Sequence, residues 1–349
     1  MNPAPKPAGE PVRVAIVGCG AIAQLGHLPG ALASDAVTVT TLIDRDEDRA
    51  RAMAQRFGLP HFAREIAAAA DHAEAAIVAL PPHLHRMAAE TLLGAGVHVL
   101  MEKPLATSLI DCDAMLAAAK TADRVLAVAM MRRYAPSARY LKAAVASGML
   151  GKIRRYTARS GAADAWPSVS PFTFDAAQAG GGALISNGCH DLDLLFWLLG
   201  PYAAFTFASD SAGRMESNCV VEGELASGGH ATVEISRSRT LVNTIRIEGE
   251  LATIEAPLMG EAVRVLPAGA NPADFPEPEA PPLDFAGVMA SQLADFAAAV
   301  RGVRPPLADG AVGREMIGFV AQCYDRAVPM DLPWDCPVEP GALQMATGA

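Results

Sequence analysis

Aromatic residues are scarce in this chain: 3 Trp, 5 Tyr and 11 Phe among 349 residues. Hydrophobic residues still make up 51%. The interior must therefore be filled by aliphatic side chains and alanine, which favours close helix packing over bulky aromatic cores. The six cysteines (Cys19, Cys112, Cys189, Cys219, Cys323, Cys336) are scattered and form no C-x-x-C pair. That spacing argues against a disulfide frame or a zinc site and fits reduced thiols in a cytoplasmic protein. Basic charge is also short. With 28 Lys and Arg against 38 Asp and Glu, the net charge is −10, and no local basic run reverses it. Such a surface repels a phosphate backbone, which excludes nucleic acid as an expected partner. No apolar run is long enough to span a bilayer. The most apolar stretch, 192–208, is broken by Asp193, Gly200 and Pro201. The opening MNPAPKPAGEP lacks the apolar centre of a signal peptide, so residues 1–10 read as a disordered lead-in.

What is present divides into two patterns. VRVAIV (12–17), VTVTTLI (37–43), AAIVAL (75–80), VHVLM (97–101) and RVLAVAM (124–130) alternate with helical stretches near 46–57, 84–95 and 108–120. Buried strands alternating with helices predict a doubly wound parallel sheet of the Rossmann type over residues 11–131. Beyond it, IRRYTARS, VVEGELASG, ATVEISRS and NTIRIEG alternate with period two. They predict an open-faced, mainly antiparallel sheet in an α+β domain over 132–335. Residues 256–285 are rich in proline and read as a long connection. Helices near 286–301 and 311–327 follow it, and 336–349 is a tail.

VGCGAIA carries Gly18, Gly20 and Ala23 in a G-x-G-x-x-A pattern between a strand and a helix. Gly18 permits the tight turn, Gly20 lets the backbone approach a pyrophosphate, and Ala23 lets the helix lie close to the strand. Ala21 and Ile22 stand at the helix start, where free N–H groups face phosphates. The next strand ends at Asp44, whose carboxylate suits the adenosine ribose hydroxyls. A 2′-phosphate beside it would be repelled, which favours NAD. Arg45 next to it can pair with such a phosphate and leaves NADP open.

Four further stretches line up in order: LPPHLH (80–85), GVHVLMEKPLATS (96–108), MRRYAPSARYLKAAVASGMLGKI (131–153) and GGGALISNGCHDLDLLFWLLG (180–200). With the glycine loop, this set resembles the Gfo/Idh/MocA family, the glucose–fructose oxidoreductase and inositol dehydrogenase group. The resemblance covers roughly residues 11–330. It implies oxidation or reduction of a sugar, cyclitol or related polyol or ketone with NAD or NADP. It implies that Lys103 polarises the reacting oxygen and that His190 relays the proton. It further places Leu80, Pro81, His85, Glu102 and Lys103 along the cofactor, and implies a cis Lys103–Pro104 bond. Arg133, Ser186, Asn187 and Tyr324 fall at substrate-side positions, and Trp166 lies on a loop that could line the pocket. No metal is implied. A homodimer or homotetramer through the second sheet is. His190 sits at the start of the helix DLDLLFWLL, and a helix N-terminus disfavours added positive charge, so its imidazole is expected to be neutral. Asp193, one turn on, is expected to serve structure.

One position departs from the family. Where its dehydrogenases usually carry an aspartate, four residues before the histidine, this chain has Ser186. Two other readings therefore stay open: an NAD-dependent, redox-neutral glycosidase of the same fold, and a non-catalytic regulator that binds cofactor and sugar.

Overall fold

The computed structural model describes residues 9–162, 170–260, 262–268 and 283–330. The expected lead-in (apart from residues 9 and 10), the tail 336–349 and Trp166 lie outside them. The first sheet holds β1 (Val12–Val17), β2 (Val37–Ile43), β3 (His61–Ala63), β4 (Ala75–Val78), β5 (His98–Met101) and β6 (Leu126–Val128). Its order is β3-β2-β1-β4-β5-β6, and every pairing is parallel. β1 and β4 lie at the centre of this sheet, with Val14, Ile16, Ala75 and Ile77 fully buried, which explains their apolar runs, broken in β1 only by the exposed Arg13. The order reverses between β1 and β4. Ligands of such sheets bind at that switch, beyond the carboxyl ends of the strands.

The covering helices are α1 (Leu28–Leu32), α2 (Glu47–Phe57), α3 (Ala69–His72), α4 (His85–Gly94) and α5 (Leu109–Ala122). Local chemistry sets their ends. Asp46 caps α2 by accepting from Arg49 N, and Gly58 closes it in the left-handed region at φ 65°. Ser108 caps α5 by accepting from Asp111 N.

The second half contributes α6 (Pro136–Ser147), β7 (Ile153–Gly161), α7 (Ala176–Ala179), α8 (Cys189–Leu199), β8 (Tyr202–Ser209), β9 (Asn218–Leu225), β10 (His230–Ser236), β11 (Thr244–Gly249), β12 (Ala252–Pro257), β13 (Arg264–Pro267), α9 (Phe285–Val300), α10 (Gly310–Asp325) and β14 (Ala327–Pro329). Its strands form one sheet, β13-β12-β11-β7-β10-β9-β8-β14. It is mainly antiparallel, but β7 pairs with β10, and β8 with β14, in parallel. One face buries Tyr156, Ala158, Val221, Val233, Ile247 and Ile254 in the core shared with α8. The other face is charged, with Arg159 2.9 Å from Glu234 and Arg246 3.1 Å from Glu248.

Two features were not foreseen. The stretch 256–285, expected to be a long connection, includes β13, which pairs with β12. RVLP is too short for alternation to stand out, and the pairing depends on β12 beside it. The last helices also return to the first sheet. Leu293, Phe296 and Ala297 of α9 join the core under β1 and β2. Gly30 makes room for this: a Cβ there would lie 2.5 Å from Met289 Cβ.

Candidate active site

The glycine loop follows β1 directly. Gly18 has φ +98°, and a Cβ on it would stand 2.5 Å from Ala79 O, so glycine is required by both conformation and space. Leu80 crosses the loop, 3.1 Å from the same point, with Pro81 half-buried after it. Gly20, Ala21 and Ile22 are partly exposed, whereas Ala23 is buried. Asp44 closes the loop from β2: its Oδ2 accepts Cys19 N at 2.9 Å and its Oδ1 accepts Asp46 N at 2.9 Å. The arginine beside this carboxylate is not Arg45, which is exposed, but Arg49, with Nη1 3.4 Å from both oxygens. Arg49 stands in the first turn of α2, three residues past its cap Asp46. The loop and the fixed carboxylate fit a dinucleotide: glycine where a side chain would block the backbone, and an oxygen pair at the end of β2.

β5 delivers the next groups. Glu102 follows it immediately, and Lys103–Pro104 is a cis peptide bond. Glu102 Oε1 is 2.8 Å from His27 Nε2, and Oε2 accepts Lys103 N at 3.1 Å. Although burial opposes it, the His27 hydrogen bond, aided by the His27 and Lys103 charges, holds the Glu102 carboxyl below its usual range. His27 is fully buried, and the sequence reading had missed it. His85 also has no exposed surface. Its Nδ1 lies 3.0 Å from Pro104 O and its Nε2 2.9 Å from Leu80 O, so it ties the β4 and β5 loops together. Burial lowers its proton affinity.

Lys103 Nζ donates to Ser186 O at 2.5 Å. Ser186 belongs to a wide helical turn, Leu184–Gly188, that runs straight into α8. His190 therefore does not stand at a free helix end, and the expected reason for its neutrality is corrected. Its proton affinity falls well below the usual value because the ring is buried, with Lys103 and then Arg132 adding to the effect. His190 Nδ1 has no hydrogen-bond partner. Asn187 is half-buried on the same turn.

Two arginines after β6 brace this helix. Arg132 pairs with Asp191, which is fully buried. Arg133 Nε and Nη2 meet the two Asp193 oxygens at 2.8 and 2.6 Å, and its Nη1 donates to Leu307 O at 2.7 Å. Arg133 is thus an interior tie, and Asp193 serves structure as expected. Cys189 is buried, and burial pushes its thiol up to about 11, which disfavours the thiolate a nucleophile needs. Tyr324 OH donates to Glu216 Oε1 at 3.0 Å, and the same oxygen accepts Leu184 N at 2.9 Å. This explains the glycine run: a Cβ on Gly181 would stand 2.1 Å from Tyr324 Oη, and one on Gly182 2.1 Å from Glu216 O. Among the described residues no cluster of three or more His, Cys, Asp or Glu is placed to hold a metal ion.

Two family models match this architecture: the NAD-binding Rossmann fold of the GFO_IDH_MocA oxidoreductase family over residues 12–130, and the GFO/IDH/MocA C-terminal domain over 138–255. The chain belongs to the Gfo/Idh/MocA family. Its first domain is accordingly an NAD-binding Rossmann domain. Similar curated proteins include dTDP-3,4-didehydro-2,6-dideoxy-alpha-D-glucose 3-reductase of Actinomadura kijaniata, 31% identical over 57% of this chain and 59% of that protein. Myo-inositol 2-dehydrogenase of Thermotoga maritima is 27% identical over 68% of this chain and 72% of that protein. The chain spans only about half the length of several of these relatives, 53% in one case and 44% in another. Among solved structures, the WlbA dehydrogenase of Bordetella pertussis, in complex with NADH and UDP-GlcNAcA, superposes with a TM-score of 0.80. It shares 21% identity over 93% of this chain and 100% of that one. Aldose-aldose oxidoreductase of Caulobacter crescentus, with glycerol, gives 0.79 at 23% identity over 90% of this chain and 97% of that one. At these identities the likeness shows the fold.

Proposed function

We propose that this protein is an NAD(P)-dependent oxidoreductase acting on a sugar, cyclitol or related polyol or its ketone. The observation that carries the reading is the approach of Lys103, held by Ser186 O, to the buried His190, whose proton affinity its charge helps to lower. Lys103 comes from the carboxyl end of β5 and His190 from α8, and Lys103 is held at the turn that leads into α8. The glycine loop and Asp44 would hold NAD, which would supply the hydride acceptor or donor. The chain's own groups handle the oxygen. The Lys103 ammonium hydrogen-bonds the reacting hydroxyl and favours its alkoxide character. His190, kept neutral by burial, takes the hydroxyl proton or returns it. Ser186 leaves this pair without the usual carboxylate, so the imidazolium that forms has less support. Sugar-processing relatives support the substrate class.

The test is a panel of sugars, cyclitols and nucleotide sugars with NAD and NADP, followed by nicotinamide absorbance. Turnover of at least one alcohol or ketone is expected. Aryl-glycoside cleavage without net absorbance change would instead favour the redox-neutral glycosidase, and binding without any turnover the regulator.

A further inference from the structure

We propose that His27 is a positioning residue for the cofactor: it fixes the Glu102 carboxylate at the nicotinamide end of the cleft, and that negative charge sets the ratio in which the protein binds NAD+ and NADH. The inference rests on the NAD-binding reading of the first domain and goes beyond it to the two oxidation states.

The placement follows from topology. The glycine loop and Asp44 would hold the adenosine half near the ends of β1 and β2. A dinucleotide crossing the switch point brings its other half over β4 and β5. Glu102 is the first residue past β5. Its side chain is only 12% exposed, so water screens it weakly. The nicotinamide ring is a cation in NAD+ and neutral in NADH. A carboxylate fixed nearby therefore stabilises the oxidised form selectively.

His27 looks built for this task. It is fully buried, its Nε2 is 2.8 Å from Glu102 Oε1, and its Nδ1 has no partner. The ring's one polar interaction among the described contacts is thus with Glu102. The wide turn Ala23–His27, closed by Leu28 N onto Ala23 O, inserts an extra residue per turn just before it. Such insertions re-aim side chains at functional sites. Here Gly26 and Gly30 face α9 while His27 meets the end of β5. The other titratable groups facing Glu102 are Lys103 on its own turn and His85 from the start of α4. Burial lowers the proton affinity of His85, while the carbonyls its ring faces and the Glu102 charge act the other way.

The experiment titrates NAD+ and NADH separately, by calorimetry and nicotinamide fluorescence, at several pH values between about 5 and 9. Glu102→Gln should weaken NAD+ relative to NADH by roughly tenfold. His27→Gln keeps a donor near the Nε2 position and should leave the ratio close to wild type. His27→Met removes the donor, so the Glu102 carboxyl holds its proton more readily. The NAD+ preference should then fade as pH is lowered, while the wild-type ratio stays flat. An identical ratio in wild type and Glu102→Gln overturns the proposal, and so does a pH-independent ratio in His27→Met. If His27→Met does not fold, the Glu102→Gln comparison alone decides. A wild-type protein that binds neither form would overturn the NAD-binding reading as well, which separates the two failures.

Discussion

Lys103→Met removes the cleft's ammonium while keeping the length and apolar stem of the side chain. Turnover should fall by about a hundredfold or more, the scale of losing a positioned charge-stabilising or proton-transfer group. Steady-state rates beside NADH binding check this. Cofactor affinity that collapsed in parallel would mean that Lys103 serves the cofactor rather than the oxygen. Ser186→Asp places a carboxylate on the residue whose carbonyl already holds Lys103. Activity on plain polyols should be kept or raised. The acid limb of the pH profile should move upward, because a nearby negative charge raises the proton affinity of His190. Asp44 carries the matching question for the cofactor. Its carboxylate is engaged by Cys19 N and Asp46 N and half-neutralised by Arg49. The wild type should prefer NAD over NADP in a binding titration, and Asp44→Ala should narrow the gap. A wild type that prefers NADP would show that Arg49 outweighs the carboxylate.

β5 carries a pH-sensitive joint of its own. His98 Nδ1 accepts Val125 N at 3.0 Å, beside the β5–β6 pairing. Burial, then the nearby Arg124, lowers its pKa to about 4. The unfolded chain takes up this proton at the ordinary histidine value while the folded chain resists it. The stability contribution is therefore present above about pH 6.5 and is lost as pH falls towards 4. The midpoint of thermal unfolding should drop over this window. His98→Asn offers a non-titrating acceptor to Val125 N and should flatten part of the drop in a calorimetric pH series. Other elements show which local signals were readable. β4 is a continuous apolar run and β1 and β2 are mostly apolar because both faces of the sheet are covered, so composition marked them. β13 was hidden because four residues at a sheet margin carry no period, and only its neighbour β12 makes it a strand.

At the scale of the molecule the second sheet shows a charged outer face. Glu255 approaches both Arg246 and Arg264, and Glu234 approaches both Arg159 and Arg239. The sequence predicts an open face there, and the structure lines it with paired arginine and glutamate. Two copies pressed together through it would bury paired rather than lone charges. We expect a homo-oligomer through this face, with a mass by light scattering at micromolar concentration that is a multiple of 36.3 kDa and falls at high salt. A 36.3 kDa particle under all conditions would overturn it.

The sequence by itself determined the layer order and the glycine loop with its carboxylate partner, and the family resemblance pointed to Lys103, His190 and Ser186. The first two rest on local patterning: covered strands are mostly apolar, and a tight turn needs glycine. Tertiary structure alone decided the long-range pairings. His27 meets Glu102 across 75 residues, Arg133 meets Asp193 across 60, and Tyr324 meets Glu216 across 108. The return of α9 onto α1 through Gly30 is of the same kind. It also decided why His190 is neutral: the ring is buried two turns inside a continuous helical run, beside Lys103 and Arg132, and not at a helix end. Proximity of that kind depends on how elements pack, and packing is a property of surfaces that adjacent residues do not share.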